Sequence, residues 1–260
     1  MDTITRWRAA PRALLRAGAL VTFLALWWAV TEAGWWSEIV VPKPSSVWNR
    51  FIESVTVHDG LRGLSDHLLW EHLGASLWRL VQGVGWAVVV GVPLGLLLAT
   101  VPLAAIVLEP VVSFVRSLPP LAYFSLLIIW FGIEDASKVW LLFLAAVAPI
   151  ALAVVSGVES TRQDWLEAAR SLGASRRQVV GHTGLPSIPP ELPTGVRLAI
   201  GFAFTPTVAA ETADGIPGIG GLAWSTKKQL QTDIAILCVI AIGLTAVAID
   251  LAIRTAERRL

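Results

Sequence analysis

The chain has 260 residues, of which 55% are hydrophobic and only 15% charged, and its formal net charge is +1. A soluble domain carries roughly 25% charged residues, and here the apolar residues run in long blocks, so a water-soluble globular protein is excluded. The near-zero charge points to no nucleic-acid partner, and the single cysteine, Cys238, excludes a disulfide framework and a thiolate metal cluster.

The hydrocarbon core of a bilayer is about 30 Å thick, so a spanning helix needs about 20 mostly apolar residues. The chain opens with the basic residues Arg6, Arg8, Arg12 and Arg16, and the first candidate span follows from Ala17 to Trp36. Basic start, apolar run and Ala29-x-x-x-Ala33 also fit a signal peptide. We read the segment as an uncleaved span, which makes residues 1–16 an amphipathic cytoplasmic segment and residues 17–260 one transmembrane domain. The stretch Ser37 to Leu73 is polar and begins with Pro42 and Pro44. Ser45 or Ser46 is expected to cap a short surface helix through Val55, and a second surface helix is expected from Leu61 to Leu73.

The second span runs from Ser76 to Thr100. Its Gly91-Val-Pro-Leu-Gly95 fits close helix packing, with Pro93 permitting a bend. The third, Leu103 to Val115, is short. Leu118 to Gly132 follows it with Pro119 and Pro120 at the start, and we read that stretch as a broken or re-entrant continuation. Irregular backbone at membrane depth is tolerated only where protein or a wet cavity covers it. Val139 to Val158, Val196 to Ala210 and Ile234 to Ile253 complete six spans. Several of the thirteen tryptophans fall at block ends (Trp27, Trp28, Trp35, Trp36, Trp130, Trp140), as an interfacial aromatic belt requires.

Six spans put both termini and the loops after spans two and four on one side. That side holds twelve arginines (Arg6, Arg8, Arg12, Arg16, Arg162, Arg170, Arg176, Arg177, Arg197, Arg254, Arg258, Arg259). The other holds eight cations (Lys43, Arg50, Arg62, Arg79, Arg116, Lys138, Lys227, Lys228). The bias predicts cytoplasmic termini.

Several chemistries lack their residues. No G-x-x-x-x-G-K-[ST] is present to cradle nucleotide phosphates. Gly215-Ile-Pro-Gly-Ile-Gly-Gly221 fails the dinucleotide pattern at Ala223 and follows a span rather than a strand, so it reads as an external or re-entrant turn. His58, His67, His72 and His182 share no metal-ligand spacing, and no serine sits on a nucleophile elbow. The chain itself is therefore read as no enzyme, with no cofactor of its own and no metal.

Ionisable residues within spans are functional candidates by default, because lipid exposure costs at least about 2.5 kcal/mol. Glu109, Arg116 and Glu211 qualify. They line a path, or Arg116 forms a structural ion pair with one of the glutamates. Ser113, Thr205 and Thr207 line the same path or bond backbone carbonyls.

The loop of about residues 159–190 is too long for a connector. Ser160 or Thr161 can cap a helix that gathers Trp165, Ala168, Ala169 and Leu172 on one face. Gly173 supplies a left-handed stop and Ser175 caps a second short helix. The pair can also be read as a DNA-binding helix-turn-helix. Its place between two spans, closed by Pro186, Pro189, Pro190 and Pro193, argues against that.

The run Glu167-Ala168-Ala169-x-x-x-Gly173, with Leu185-Pro186 twelve residues on, resembles the EAA loop of ABC-importer permeases. Further matches extend over most of the chain from about His72. Glu109-Pro110, Arg116-Ser-Leu-Pro-Pro-Leu-Ala122, Trp130-Phe-Gly-Ile-Glu-Asp-Ala-Ser-Lys138 and Val208-Ala-Ala-Glu211 are similar to the taurine, aliphatic sulfonate and nitrate branch. Phe204-Thr-Pro206-Thr207 departs from it, with a proline where small or β-branched residues are expected.

The resemblance implies an all-α integral membrane protein of the type I ABC importer fold, with about six transmembrane helices and a cytoplasmic coupling helix. Trp165, Glu167, Ala168, Ala169, Arg170, Gly173, Leu185 and Pro186 are the implied coupling residues. The implied partners are a second copy, two ATPase subunits carrying ATP and Mg, and an extracytoplasmic solute-binding protein, in a prokaryotic cell membrane. The implied function is alternating-access import of a small solute such as taurine or nitrate. The alternatives are a self-contained secondary transporter or channel, and a membrane receptor or scaffold.

Overall fold

The computed structural model of the protein describes residues 12–58, 60–159, 171, 173, 185–214 and 216–257. Among them, helix α1 is Arg12–Glu32 and α2 is Pro44–Val55. Strands β1 (Val57–His58) and β2 (Leu61–Arg62) form a minimal antiparallel ribbon. Helices α3 (Leu69–Thr100), α4 (Pro102–Ser117), α5 (Pro120–Phe131) and α6 (Asp135–Glu159) follow. Then come α7 (Leu185–Asp214), α8 (Ile219–Gln229) and α9 (Thr232–Glu257).

Among the described residues the fold is all-α apart from the ribbon, and each of the six expected spans overlaps a helix, although α1 ends at Glu32, short of Trp36, and α7, which holds the fifth, is not among the helices apolar enough to cross a membrane. By length and apolarity Leu69–Thr100, Asp135–Glu159 and Thr232–Thr255 suffice to cross a membrane. The α4–α5 pair makes a fourth candidate span and is bent by 97°. The break expected near Pro119 and Pro120 is therefore present. Pro119 and Pro120 lack the amide protons that would continue the α4 ladder. The apolar part of α1, Ala17–Glu32, is shorter.

Two local expectations are corrected. No helix runs from Leu61 to Leu73. Leu61 pairs in β2, and Leu64 and His67 exchange hydrogen bonds of 2.9 and 3.2 Å across Ser65 and Asp66. Both of those residues have positive φ, 54° and 61°. Two central residues in that region make the turn type that fits a hairpin, so α3 starts only at Leu69. Nor does Ser45 or Ser46 cap α2. Pro44 opens that helix after Lys43, with no side-chain cap bond, because a proline there sacrifices only an amide that lacks a partner anyway.

The core is a layer of α3, α6 and α7. Leu80, Val84 and Ala87 meet Leu142, Ala146, Val147 and Ile150, with Ala199 and Ala203 closing the third side. The sequence explains the close approach of α3 and α6. Gly83, Ala87, Gly91 and Gly95 recur every four residues, so they share one helix face. A β-carbon on Gly83 would lie 2.5 Å from Leu142 Cβ, and one on Gly91 would lie 3.0 Å from the Val147 carbonyl oxygen. Helices in lipid gain no hydrophobic drive from meeting, so backbone proximity over small residues supplies the contact.

Outward faces are apolar. Phe23, Trp28, Trp78, Trp86, Ile106, Ile129, Val239 and Leu244 are all more than half exposed, an arrangement that suits hydrocarbon and not water. Trp140 stacks on Phe131 with ring centroids 5.3 Å apart, tying the end of α5 to α6.

Candidate functional site

Two polar centres stand out in this apolar body. The first sits where α3 begins. His72, Ser76 and Arg79 lie at i, i+4 and i+7, on one face of α3. All three are buried, as is Glu211 near the end of α7. Arg79 donates through Nη1 to Glu211 Oε1 at 2.7 Å, through Nε to Asp135 Oδ1 at 2.7 Å, and through Nη2 to the Pro217 carbonyl at 3.0 Å. Glu211 Oε2 accepts from Ser76 Oγ and from the Gly220 amide, each at 2.9 Å. The Ile219 amide donates to Ser76 Oγ at 3.0 Å, and the Gly218 amide donates to His72 Nδ1 at 3.1 Å. That leaves His72 Nε2–H to donate to the Leu64 carbonyl at 3.0 Å. The first amides of α8, orphaned as at any helix start, thus find their acceptors on α3 and α7. Of the glycine-rich segment, Ile216–Gly218 form the turn expected from sequence while Ile219–Gly221 already belong to α8, and this network anchors both.

The second centre is a cavity of about 820 Å³. Its walls come from the α4–α5 break (Arg116, Tyr123), from α6 (Ala145, Pro149, Ser156) and from α7 (Phe202, Thr205, Pro206). Arg116 is the one charged residue on this wall. Two prolines, Pro149 of α6 and Pro206 of α7, stand on its wall. Pro149 and Pro206 lack amide protons, so the helix ladder offers no donor to the carbonyls four residues back, those of Ala145 and Phe202. Both of those residues also line the cavity. The wall therefore brings together a cation, three hydroxyl-bearing residues and two residues whose carbonyls lack a ladder donor, amid apolar neighbours, and a small polar solute needs such a set to leave water.

Of the path candidates, the structure brings Arg116 and Thr205 to this cavity. Glu109, Ser113, Thr207 and Glu211 are not on its wall. Glu211 pairs with Arg79, so of the two readings left open for Glu211, a structural ion pair holds, with Arg79 rather than Arg116 as its partner. Arg116 forms no ion pair among the described residues, and Glu109 forms none either. Thr207 is buried and donates to the Ala203 carbonyl at 2.8 Å. Ser113 is exposed on α4, where its carbonyl accepts from Ser117 Oγ at 2.7 Å. Of the coupling residues, Trp165, Glu167, Ala168, Ala169 and Arg170 lie outside the described residues. Gly173 has the left-handed φ of +80° expected of a helix stop, and Leu185 and Pro186 open α7.

Sequence reasoning passed over Arg79, which was counted among the loop cations, and over Tyr123 and Ser156. The spacing His72-Ser76-Arg79 in an apolar segment was the available signal for the first. Tyr123 and Ser156 carry no such mark, since the cavity gathers them from separate helices.

The sequence pattern of the family described as "binding-protein-dependent transport system inner membrane component" matches residues 91–260. The chain belongs to this family. Over 98% of its length the permease is 36% identical to the taurine transport system permease protein TauC of Escherichia coli K12, covering 91% of that protein. It is 32% identical to the bicarbonate transport system permease protein CmpB of Synechocystis sp. PCC 6803, over 89% of this chain and 82% of CmpB. The putative aliphatic sulfonates transport permease protein SsuC of E. coli K12 is 31% identical over 92% of this chain and 87% of its own. The fold resembles the inward-facing MetNI methionine ABC transporter, with a TM-score of 0.57 at 21% identity, over 72% of this chain and 96% of that one. The permease is thus a membrane-embedded subunit of an ABC importer, in the branch that holds these relatives, and is not the catalytic subunit.

Proposed function

We propose that the permease forms, as a homodimer, the path by which a small anion-bearing solute enters a prokaryotic cell. A sulfonate such as taurine is the first choice, with nitrate as the compact alternative. The observation that carries this reading is Arg116, the lone charge on the wall of an 820 Å³ cavity, in a chain similar to a taurine permease along nearly its whole length. Two ATPase subunits hold ATP and Mg, and a binding protein outside the membrane delivers the solute. Both termini and the loop of about residues 159–190 face the cytoplasm, where the Glu167-Ala168-Ala169 segment docks on the ATPase. Closure of the two ATPases draws the docked loops together and tilts α6 and α7, which flank that loop and form two walls of the cavity. Arg116 then offers a charge-assisted contact, and Tyr123, Ser156 and Thr205 offer hydroxyls to the solute's oxygens.

The test is uptake by the complex reconstituted in liposomes with its ATPase and a taurine-loaded binding protein. ATP-dependent accumulation of labelled taurine is expected. ATP hydrolysis without taurine entry overturns the substrate, and uptake by the chain alone without ATP assigns it to the self-contained transporters.

A further inference from the structure

Helix α4 divides into three faces. Leu108 and Val112 pack against Leu94 and Leu98 of α3 and Ala148 and Leu152 of α6. Leu103, Val107, Val111 and Phe114 form an exposed apolar face, each more than half accessible. Between the two lie Glu109, Ser113, Arg116 and Ser117, all exposed. At 100° per residue Glu109, Ser113 and Arg116 fall within an arc of about 60°, and Ser117 stands about 40° further round, past the exposed Ile106 at the border with the apolar face.

Hydrocarbon does not cover this arc. Each charge set against lipid at the centre of a bilayer costs at least about 2.5 kcal/mol, and the neighbouring apolar face already serves as the lipid contact. Protein and water remain. The arc meets the cavity at Arg116, which opens it to polar surroundings on one side, and among the described residues no element covers the other.

We propose that the polar arc of α4 faces the same arc of a second copy, and that the two Arg116 side chains form a cationic constriction that selects solutes with anionic oxygens. The proposal rests on the homodimeric importer reading above. Symmetry supplies the geometry. A two-fold axis along the membrane normal puts like residues at like depth, so one Arg116 stands opposite the other. Glu109 lies seven residues away, about 10 Å along the helix, and does not neutralise that pair across the axis. Two guanidiniums facing each other in a narrow, weakly polarisable channel repel, and a sulfonate, carboxylate or oxyanion between them relieves the repulsion with bidentate hydrogen bonds. A cation meets the full barrier. Arg116 is thus a specificity-determining residue within the membrane subunit itself, acting after any binding protein has made its own choice.

Thiol chemistry on the assembled complex in membrane vesicles tests this without knowledge of the natural solute. The variant is Ser113→Cys in a chain whose own thiol is removed by Cys238→Ser. An anionic sulfonatoethyl methanethiosulfonate is expected to modify it about tenfold faster than the cationic trimethylammonium analogue, since charged clefts concentrate counter-ions by at least that factor. Adding Arg116→Gln is expected to erase the preference. Oxidation is expected to join the two copies through this position, whereas Phe114→Cys on the apolar face gives neither modification nor cross-link. Equal rates for the two reagents, or no reaction with either, overturn the proposal. A preference without cross-linking overturns the two-copy geometry. The number of ATPase subunits that co-purify then shows whether the importer reading falls with it.

Discussion

The guanidinium of Arg79 and the carboxylate of Glu211 meet at 2.7 Å although 132 residues separate them in the chain. The Glu211 side chain is fully buried and that of Arg79 is 6% exposed. Around this pair three helix ends and the Pro217–Gly220 turn are fastened together. Desolvation makes such a pair a weak source of net stability, but removing one partner strands the other. Glu211→Leu is therefore expected to destabilise the chain by about 3–5 kcal/mol, read as earlier thermal unfolding by tryptophan fluorescence in detergent. Arg79→Met added to it is expected to recover part of the loss. An unchanged transition in the single variant refutes the structural role given to the pair.

The α3–α6 seam makes a prediction by contrast between two glycines of one helix. Gly83→Val places a side chain where Leu142 already stands, and overpacking of this kind costs about 1–3 kcal/mol. Gly85 has nothing within 4 Å of an added β-carbon, so Gly85→Ala is expected to stabilise through helix propensity, by up to about 1 kcal/mol. Opposite signs in the two melting shifts are the outcome to look for.

Pro206 sits inside α7 at the cavity wall. Pro206→Ala restores the missing ladder bond to the Phe202 carbonyl, and an interior helix proline costs about 3 kcal/mol. The variant is expected to melt later and to transport more slowly, because a carbonyl freed for the solute is withdrawn. Faster or unchanged uptake shows that the Phe202 carbonyl has no part in transport.

Arg50 links α2 to α9. Its Nε donates to Asp233 and its Nη1 to Glu53, both at 2.7 Å. The hydrogen bond to Asp233, followed by the one to Glu53, raises its already high pKa, so the pair persists at any pH that leaves the carboxylates charged. The partners are partly exposed, and pairs of this kind are worth at most about 1 kcal/mol. Arg50→Ala should quicken hydrogen exchange in α2 while leaving the core of α3 and α6 unaltered. Equal protection of α2 in both proteins rules out the link.

The docking segment makes a functional prediction. Glu167→Ala should abolish ATP-driven uptake and release the ATPase on purification, while membrane insertion and pairing of the chains persist. Retained ATPase with full uptake locates the coupling elsewhere.

Much of this architecture was legible before any coordinates. Long apolar blocks place α3, α6 and α9, and the Pro119-Pro120 pair marks the break between α4 and α5. The Gly-rich run announces the turn before α8. The sequence was less informative where side chains from distant segments converge. Glu211 was recognisable as a costly charge in an apolar segment, but its partner had to be chosen among several cations. The i, i+4, i+7 register of His72, Ser76 and Arg79 in an apolar segment is the signal that points to Arg79 as that partner. The Ser65-Asp66 turn was missed for a local reason. Neither residue is glycine, and both still adopt positive φ, which propensity alone assigns to few residues. The cavity was half legible. Arg116 and Thr205 were named, whereas Tyr123 and Ser156 join it only through the bend of α4–α5 and the crossing of α6.

The glycine seam has a mechanical consequence. Side chains of α6 (Leu142, Ile150, Val154) seat against the glycines of α3 with no room for a β-carbon, so α3 and α6 are locked in register and turn as a single beam. One end of that beam is clamped where Arg79 grips Asp135 and Glu211. The other end, at Glu159, is the one next in sequence to the loop proposed to dock on the ATPase. A beam fixed at one end swings most at the other: α6 is 25 residues long, about 37 Å at helical rise, and Ser156 lies near its moving tip while Leu144 lies closer to the fulcrum. Under the proposed coupling, the cavity whose wall they share would widen as a wedge, from the Ser156 side first, and that asymmetry would give the solute a direction of exit without any separate door.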